Sequence, residues 1–253
     1  MAIVTLLTDF GLADTYVAQM KAAALAVAPS VRLVDLTHAV PAQDVRAGAF
    51  LLWTAVEPFP SGSVHLAVVD PGVGSERLAV AAQSVRGDFF VGPDNGLLVP
   101  ALERLGGCAQ AVSLTQSGFW RPRQSSTFHG RDIFAPVAAH LALGTPLSSL
   151  GEAAQLQRPF ELAFSDGPIG EVIYVDSYGN LVTNLLAERL PERFTIQLGA
   201  TRVPFVHYYA DAQPGELIAL VGSNGLLEVA ARDGSAAAET GHGRGARVEV
   251  VRL

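Results

Sequence analysis

The run SVHLAVVDPGVGSERLAV, residues 63–80, carries more information than any other in the chain. Its first half is apolar from Leu66 to Val69, as expected of a buried strand. It then breaks into Asp70-Pro71-Gly72-Val73-Gly74 and resumes as Leu78-Ala79-Val80. Two glycines and a proline within four positions specify a tight, rigid turn. The strand therefore ends on a carboxylate, Asp70, and Arg77 leads into the next strand.

Outward from this run, the N-terminal half alternates strands and helices. Residues 2–8 read as a buried strand ending at Thr8-Asp9-Phe10-Gly11, and residues 14–28 have helical composition that Pro29 stops. VRLVDLT (31–37) is a second strand and QDVRAGAFLLWTAV (43–56) a second helix. Strands follow at 63–70, 78–85 and 89–94, with helices near 96–105 and 132–143. This alternation predicts an α/β layered domain with a largely parallel sheet over residues 1–144. Residues 145–168 are rich in turn formers and are expected to be a linker. Beyond them, GEVIYVDSYGNLVTNL, RFTIQLGATRVPFV, GELIALVGSNGLLEVAA and ARVEVVRL are short strands separated by Gly, Asn and Pro turns. They predict a small C-terminal β-barrel domain over 169–253.

Composition narrows the function. Hydrophobic residues make up 49% of the 253 positions and charged residues 16%, which excludes a disordered chain. No apolar run reaches the length of a membrane span, and the N-terminus lacks a basic leader, so no membrane partner is expected. A formal charge of −7 argues against nucleic acid. The single cysteine, Cys108, excludes a disulfide framework and a cysteine-rich metal site, and is compatible with a reducing cytoplasm. Lys21 is the only lysine against sixteen arginines, and no phosphate-binding GK[ST] loop or GxGxxG fingerprint occurs.

Ligands of α/β sheets bind outside the carboxyl ends of the strands. There the sequence places Asp9 with Asp14, then Asp70, then Asp94 and Asn95 of GPDNG, and His129 of STFHGRD before the last helix. Each has a plainer reading. Asp9 and Asp14 would favour a helix N-terminus, Asp70 would form a turn with Arg77 as its surface partner, and His129 would be structural. Histidines 38, 65, 140, 207 and 242 are read as structural. A metal site from His129, Asp132 and Asp70 has no HxH or HExxH spacing behind it.

Six motifs occur in one order: LLTDFG, VVDPGVGSER, GPDNG, TFHGRD, VDSYGNLVTN and GSNGLLEVA. Over nearly its full length the chain resembles the S-adenosyl-L-methionine (SAM) hydroxide adenosyltransferases, the SAM hydrolases, relatives of fluorinase and chlorinase enzymes. The resemblance implies hydrolysis of SAM to adenosine and L-methionine with no metal or cofactor. It also implies a homotrimer, with SAM bound between the N-terminal domain of one chain and the C-terminal domain of its neighbour. The family's water-activating Asp, Arg and His fall on Asp70, Arg77 and His129. Asp9 matches the carboxylate that grips the ribose hydroxyls; Asp14, Asp176 and Ser223 match partners of the methionine amino-acid group. Asn180 matches the adenine-reading asparagine, and Phe128, Tyr178 and Tyr209 match walls of the nucleoside pocket, although Tyr209 also suits a barrel core. In the fluorinase relatives, a tyrosine and a serine stand at the places of His129 and Gly130, and a tyrosine at that of Asp70. The alternatives are halide transfer to C5′, a non-catalytic SAM or adenosine sensor, and a metal-dependent hydrolase.

Overall fold

The computed structural model describes residues 2–253, which cluster into two compact units, up to Glu161 and from Leu162 onward. The first contains β1 (Ile3–Thr8), α1 (Tyr16–Val27), β2 (Arg32–Thr37), α2 (Val45–Ala55), β3 (Val64–Val68), β4 (Ala79–Ser84), β5 (Phe89–Pro93), α3 (Val99–Arg104), β6 (Cys108–Leu114), α4 (Ala135–Ala142) and β7 (Gly151–Ala153). Its sheet has the order β2-β1-β3-β5-β4-β6-β7. The first four strands run parallel, and β4, β6 and β7 extend them antiparallel. The parallel strands are covered on both faces, which is why β3 is buried at every position. Val64, Leu66 and Val68 join the core under α1 and α4, whereas Val69 meets α2 at Gly48.

The structure differs from the sequence reading in three places. Strand β6 lies where no element was expected. The segment expected as a linker is partly taken up by the first unit: β7 pairs with β6, and the Gln157 amide donates to Asp94 at 2.9 Å. The helix expected at 132–143 is α4 preceded by a π-helical turn, Gly130–Phe134. Such turns arise where one extra residue is accommodated in a helix, frequently at functional sites.

The second unit contains β8 (Ile169–Val175), β9 (Leu181–Leu186), β10 (Phe194–Leu198), β11 (Thr201–Pro204), β12 (Leu217–Val221), β13 (Leu226–Ala231), the short α5 (Ala236–Thr240) and β14 (Arg247–Arg252). The strands form one sheet, β11-β10-β14-β8-β9-β13-β12, whose named pairings are antiparallel. A bridge between Phe205 and Ala219 brings its two ends together, so the sheet curls into a nearly closed barrel. Its interior is filled by Val172, Leu181, Ile196, Leu198, Val229 and Val248. Among the described residues, no helix is long and apolar enough to cross a membrane.

Candidate active site

The turn after β3 does what its residues dictate. Val73 N–H donates to the Asp70 carbonyl at 3.2 Å and Ser75 N–H to that of Gly72 at 3.0 Å, closing two consecutive turns. Gly74 has φ +79°, and a Cβ there would lie 3.0 Å from the Ser126 carbonyl oxygen. Only glycine supplies that conformation without strain while letting the 125–129 loop approach. From GPDNG, the Asn95 amide donates to the Val69 carbonyl at 2.9 Å, bracing the strand end that carries Asp70. Asp94 faces away, toward Gln157.

Arg77 joins the two loops chemically. Its Nε donates to both Asp70 oxygens, at 2.9 and 3.1 Å, and its Nη2 donates to Asp70 Oδ2 and, at 2.9 Å, meets His129 Nδ1. The Asp70 side chain is only 6% exposed and that of Arg77 10%. The guanidinium also lies over the Phe134 ring, 5.3 Å from its centroid. A guanidinium has no acceptor, so His129 Nδ1 must accept and the ring carries its proton on Nε2. Burial, and then the Arg77 charge, hold the His129 pKa below its ordinary 6.5, against opposing pulls from Asp70 and Asp132. His129 is thus a neutral Nε2–H donor fixed by Arg77.

A cavity of about 320 Å³ opens beside this cluster, lined by Asp70 and His129 together with Asp9, Phe10, Pro71 and Phe128. Phe10, Tyr16 and Phe128 form a mutual edge-to-face trio with centroids 5.4–6.1 Å apart. Asp9 is half-buried, and its Oδ2 accepts from the Gln43 amide at 2.8 Å. Gln43 adopts φ +64°, rare for a residue with a side chain, so backbone strain is spent on aiming that amide at Asp9. Nothing in the sequence marks Gln43.

Asp132 does not complete a metal site with His129 and Asp70. Its fully buried carboxylate accepts from Arg121 Nη1 (3.0 Å), Arg131 Nε and Nη2 (2.7 and 2.9 Å) and the Ser125 amide (2.7 Å). Arg131 also lies over the Phe128 ring and reaches Gln19. Asp132 therefore orders the loop that carries Phe128 and His129. Among the described residues, no group of three or more His, Cys, Asp or Glu could hold a metal ion. Asp14 is exposed just ahead of α1, with no partner among the described residues, and Lys21 pairs with Asp35 at 2.6 Å.

In the second unit, VDSYGN forms the β8–β9 turn. Asp176 Oδ1 accepts from the amides of Tyr178 and Asn180, both at 2.9 Å, and its Oδ2 from Asn180 Nδ2 at 2.9 Å. Tyr178, at the tip, is 77% exposed. Asn180 Nδ2 also donates to the Tyr209 hydroxyl at 3.3 Å. Ser223 is exposed in the β12–β13 turn. The structure thus gathers Asp9, Asp70, Arg77, Phe128 and His129 in one unit, and Asp176, Asn180 and Tyr209 in the other.

An α/β unit with a polar triad at its strand ends, followed by a small barrel, defines a two-domain enzyme scaffold with an organic-ligand site. Residues 4–151 match the family model of the SAM hydroxide adenosyltransferase N-terminal domain, and residues 170–249 match that of its C-terminal domain. The chain belongs to this family. It is 45% identical over 241 residues to a protein of Salinispora arenicola named (R)-S-adenosyl-L-methionine hydrolase, covering 91% of this chain and 90% of that one. A fluorinase of Actinoplanes sp. is similar at 28% identity, covering 90% of each. The crystal structure of an uncharacterized conserved protein from Thermotoga maritima superposes with a TM-score of 0.91 at 33% identity, covering 98% of this chain and 99% of that one.

Proposed function

We propose that this protein hydrolyses S-adenosyl-L-methionine to adenosine and L-methionine by in-line attack of water at C5′. The observation that carries this reading is the Arg77 bridge, which holds a buried carboxylate and a neutral imidazole at the wall of one cavity. The sulfonium leaves as a neutral thioether, so the departing group needs neither a general acid nor a metal. What the reaction lacks is a nucleophile.

His129 Nε2–H orients the attacking water through its oxygen, and Asp70 accepts a proton from it. Each carboxylate oxygen has two lone-pair directions, so the pairing with Arg77 leaves acceptor capacity. The C5′–O bond forms as the C5′–S bond breaks, the electron pair passes to sulfur, and the proton leaves through Asp70 to solvent. A positioned base supplies about 10²–10⁴-fold. Holding water and C5′ at attack distance supplies roughly 7–11 kcal/mol.

Asp9 binds the ribose hydroxyls, and Phe128, Tyr178 and Tyr209 wall the nucleoside. Asn180 reads the adenine, and Asp14, Asp176 and Ser223 bind the amino-acid group. Asp176 already accepts three hydrogen bonds within its turn, so its contribution there uses the one lone-pair direction left, on Oδ2. Water-activating and adenine-reading groups occupy different compact units. This supports the further proposal of a homotrimer in which the first unit of one protomer and the second unit of its neighbour complete each site. A cytoplasmic location goes with this reading. The L prefix already fixes the amino-acid carbon, so the R in the Salinispora relative's name is left to the sulfonium, and we extend that preference to this chain.

The test is incubation of purified protein, with chelator present, with each sulfonium epimer of SAM in ¹⁸O-water. Adenosine labelled at its 5′-hydroxyl and L-methionine are expected. Methylthioadenosine with homoserine lactone would refute attack at C5′. Activity abolished by the chelator and restored by a divalent cation would favour the metal-dependent reading.

A further inference from the structure

Glu228 is a carboxylate in the middle of β13, buried in an otherwise apolar strand, and nothing in the proposed reaction uses it. Its Oε1 accepts from the Tyr209 hydroxyl at 3.0 Å. Its Oε2 lies over Gly222, where a Cβ would come within 2.7 Å, so the turn bearing Ser223 keeps a glycine to admit this carboxylate. Burial raises the Glu228 pKa while the bond from Tyr209 opposes the rise. Burial and the Glu228 charge push the Tyr209 pKa up to about 12, so its hydroxyl keeps its proton.

We infer that Glu228 and Tyr209 are positioning residues that, with Asp176, fix which way the Asn180 amide faces, and so make this site accept only a ligand N–H donor. Hydrogen-bond polarity carries the inference, which rests on the functional reading above, in which Asn180 meets the purine. A carboxylate only accepts, so Tyr209 must donate its single proton to Glu228. The Tyr209 oxygen is then left as an acceptor toward Asn180. Asp176 Oδ2 is likewise an acceptor. Both groups around Asn180 therefore demand N–H, and Nδ2 supplies one proton to each, at 2.9 and 3.3 Å. The donors of Asn180 are committed, and its Oδ1 has no partner among the described residues although the residue is only 6% exposed. Reversing the amide would set an oxygen against a carboxylate. The one hydrogen-bonding atom that the Asn180 side chain offers a ligand is an acceptor.

Toward the 6-position of a purine this polarity selects the amino group of adenine over the carbonyl of hypoxanthine, whose N1–H donor sits on the neighbouring ring atom. Oxygen would face oxygen in the 6-oxo case, a mismatch that reduces binding about tenfold to a hundredfold. The preference for an adenosyl ligand thus reaches back through Asn180 and Tyr209 to a buried glutamate on the next strand.

The experiment is calorimetric titration of the full-length protein with adenosine and with inosine, for wild type, Glu228→Gln and Tyr209→Phe. Wild type should prefer adenosine, and both variants should lose at least about fivefold of that preference: Asp176 still holds one Nδ2 proton, but the Tyr209 oxygen no longer claims the other, which is then free to donate to a 6-carbonyl. A merely structural role would weaken both nucleosides equally and leave the ratio unchanged, and that result in both variants overturns the inference. Should Glu228→Gln fail to fold, Tyr209→Phe decides, because Tyr209 is 42% exposed. Wild type that hydrolyses SAM yet binds the two nucleosides equally refutes this inference alone. Wild type that neither binds adenosine nor hydrolyses SAM refutes the functional reading and this inference with it.

Discussion

Replacing Arg77 by lysine separates the geometry of the guanidinium from its charge. Arg77 spans two partners at once, Asp70 through Nε and Nη2 and His129 Nδ1 through Nη2. An ammonium is a point charge and cannot present a planar fork to both. Lysine would keep the attraction, about 4 kcal/mol for unit charges near 4 Å at an effective dielectric of 20. It would lose the bond to His129 and part of the bidentate contact, each about 1.5–3 kcal/mol when charge-assisted. Alanine would in addition leave a nearly buried carboxylate unpaired, which costs about 3–5 kcal/mol. Melting should therefore fall further for Arg77→Ala than for Arg77→Lys. For a unit of this size each kcal/mol lowers the midpoint by about 2–4 °C.

The catalytic consequence follows from the imidazole. Without the Arg77 donor, His129 can place its proton on either nitrogen, and in one tautomer Nε2 no longer donates to the water. Together with a shifted Asp70, this should lower kcat for Arg77→Lys by about 10²–10³-fold, within the usual range for a positioned acid–base group. KM for SAM should change little, because Arg77 does not line the cavity. Initial rates of adenosine release and scanning calorimetry on the same preparations provide both numbers. If Arg77→Lys keeps more than about a tenth of wild-type kcat, the fork is not what organises the water.

Asp70→Asn should abolish most turnover while SAM still binds, as calorimetry would show; equal loss of binding and turnover would make Asp70 a ligand contact. Because burial and Arg77 hold His129 below 6.5, the acid limb of kcat/KM should fall below that value. In the window from 6.5 down to the folded value the unfolded chain binds more protons, so stability should decline as pH falls there; a limb centred above 6.5 contradicts the assignment. Mixing inactive Asp70→Asn with inactive Asn180→Ala should restore some activity if sites are shared between subunits, whereas a fully active monomer by light scattering would exclude sharing.

The parts of this site legible in sequence were those with local signals. The apolar run into DPGVG fixed the place of Asp70, and the rule of strand carboxyl ends placed Asp9 and His129 beside it. Strand β6 escaped because CAQAVSL has few β-branched residues and its first three positions are exposed. Strand β7 is only three residues, GEA, and exists by pairing with β6. The Gln43 conformation is imposed by its surroundings and leaves no compositional trace. Asp132 was visible only as a member of a metal set that no ligand spacing supported, and its role in ordering the loop was hidden because Arg121 and Arg131 reach it only in three dimensions. Glu228 did leave a trace, a single carboxylate within LLEVAA, and the partner that explains it, Tyr209 in a short helical turn ahead of β12, could not be read from spacing.

The same geometry accounts for why water rather than halide should be the nucleophile here. Gly130 lacks a hydroxyl that could hold an anion, and the packing keeps it so: a Cβ at that position would lie 3.1 Å from Met20 Sδ and 3.5 Å from the Phe10 ring. A neutral hydrogen bond is worth only about 0.5–1.5 kcal/mol net. A carboxylate about 4 Å from a halide repels it by roughly 4 kcal/mol at an effective dielectric of 20, and the paired Arg77 guanidinium, roughly 7 Å off, returns about 2 kcal/mol, leaving a net repulsion of about 2 kcal/mol, more than one decade of affinity. Charge at Asp70 therefore outweighs the missing hydroxyl. Gly130→Ser should remain a hydrolase in concentrated chloride or fluoride, slowed by the displacement of Met20, and should form no 5′-halo-5′-deoxyadenosine. Halogenated nucleoside from that single substitution would show that the hydroxyl, and not the Asp70 charge, sets the choice of nucleophile.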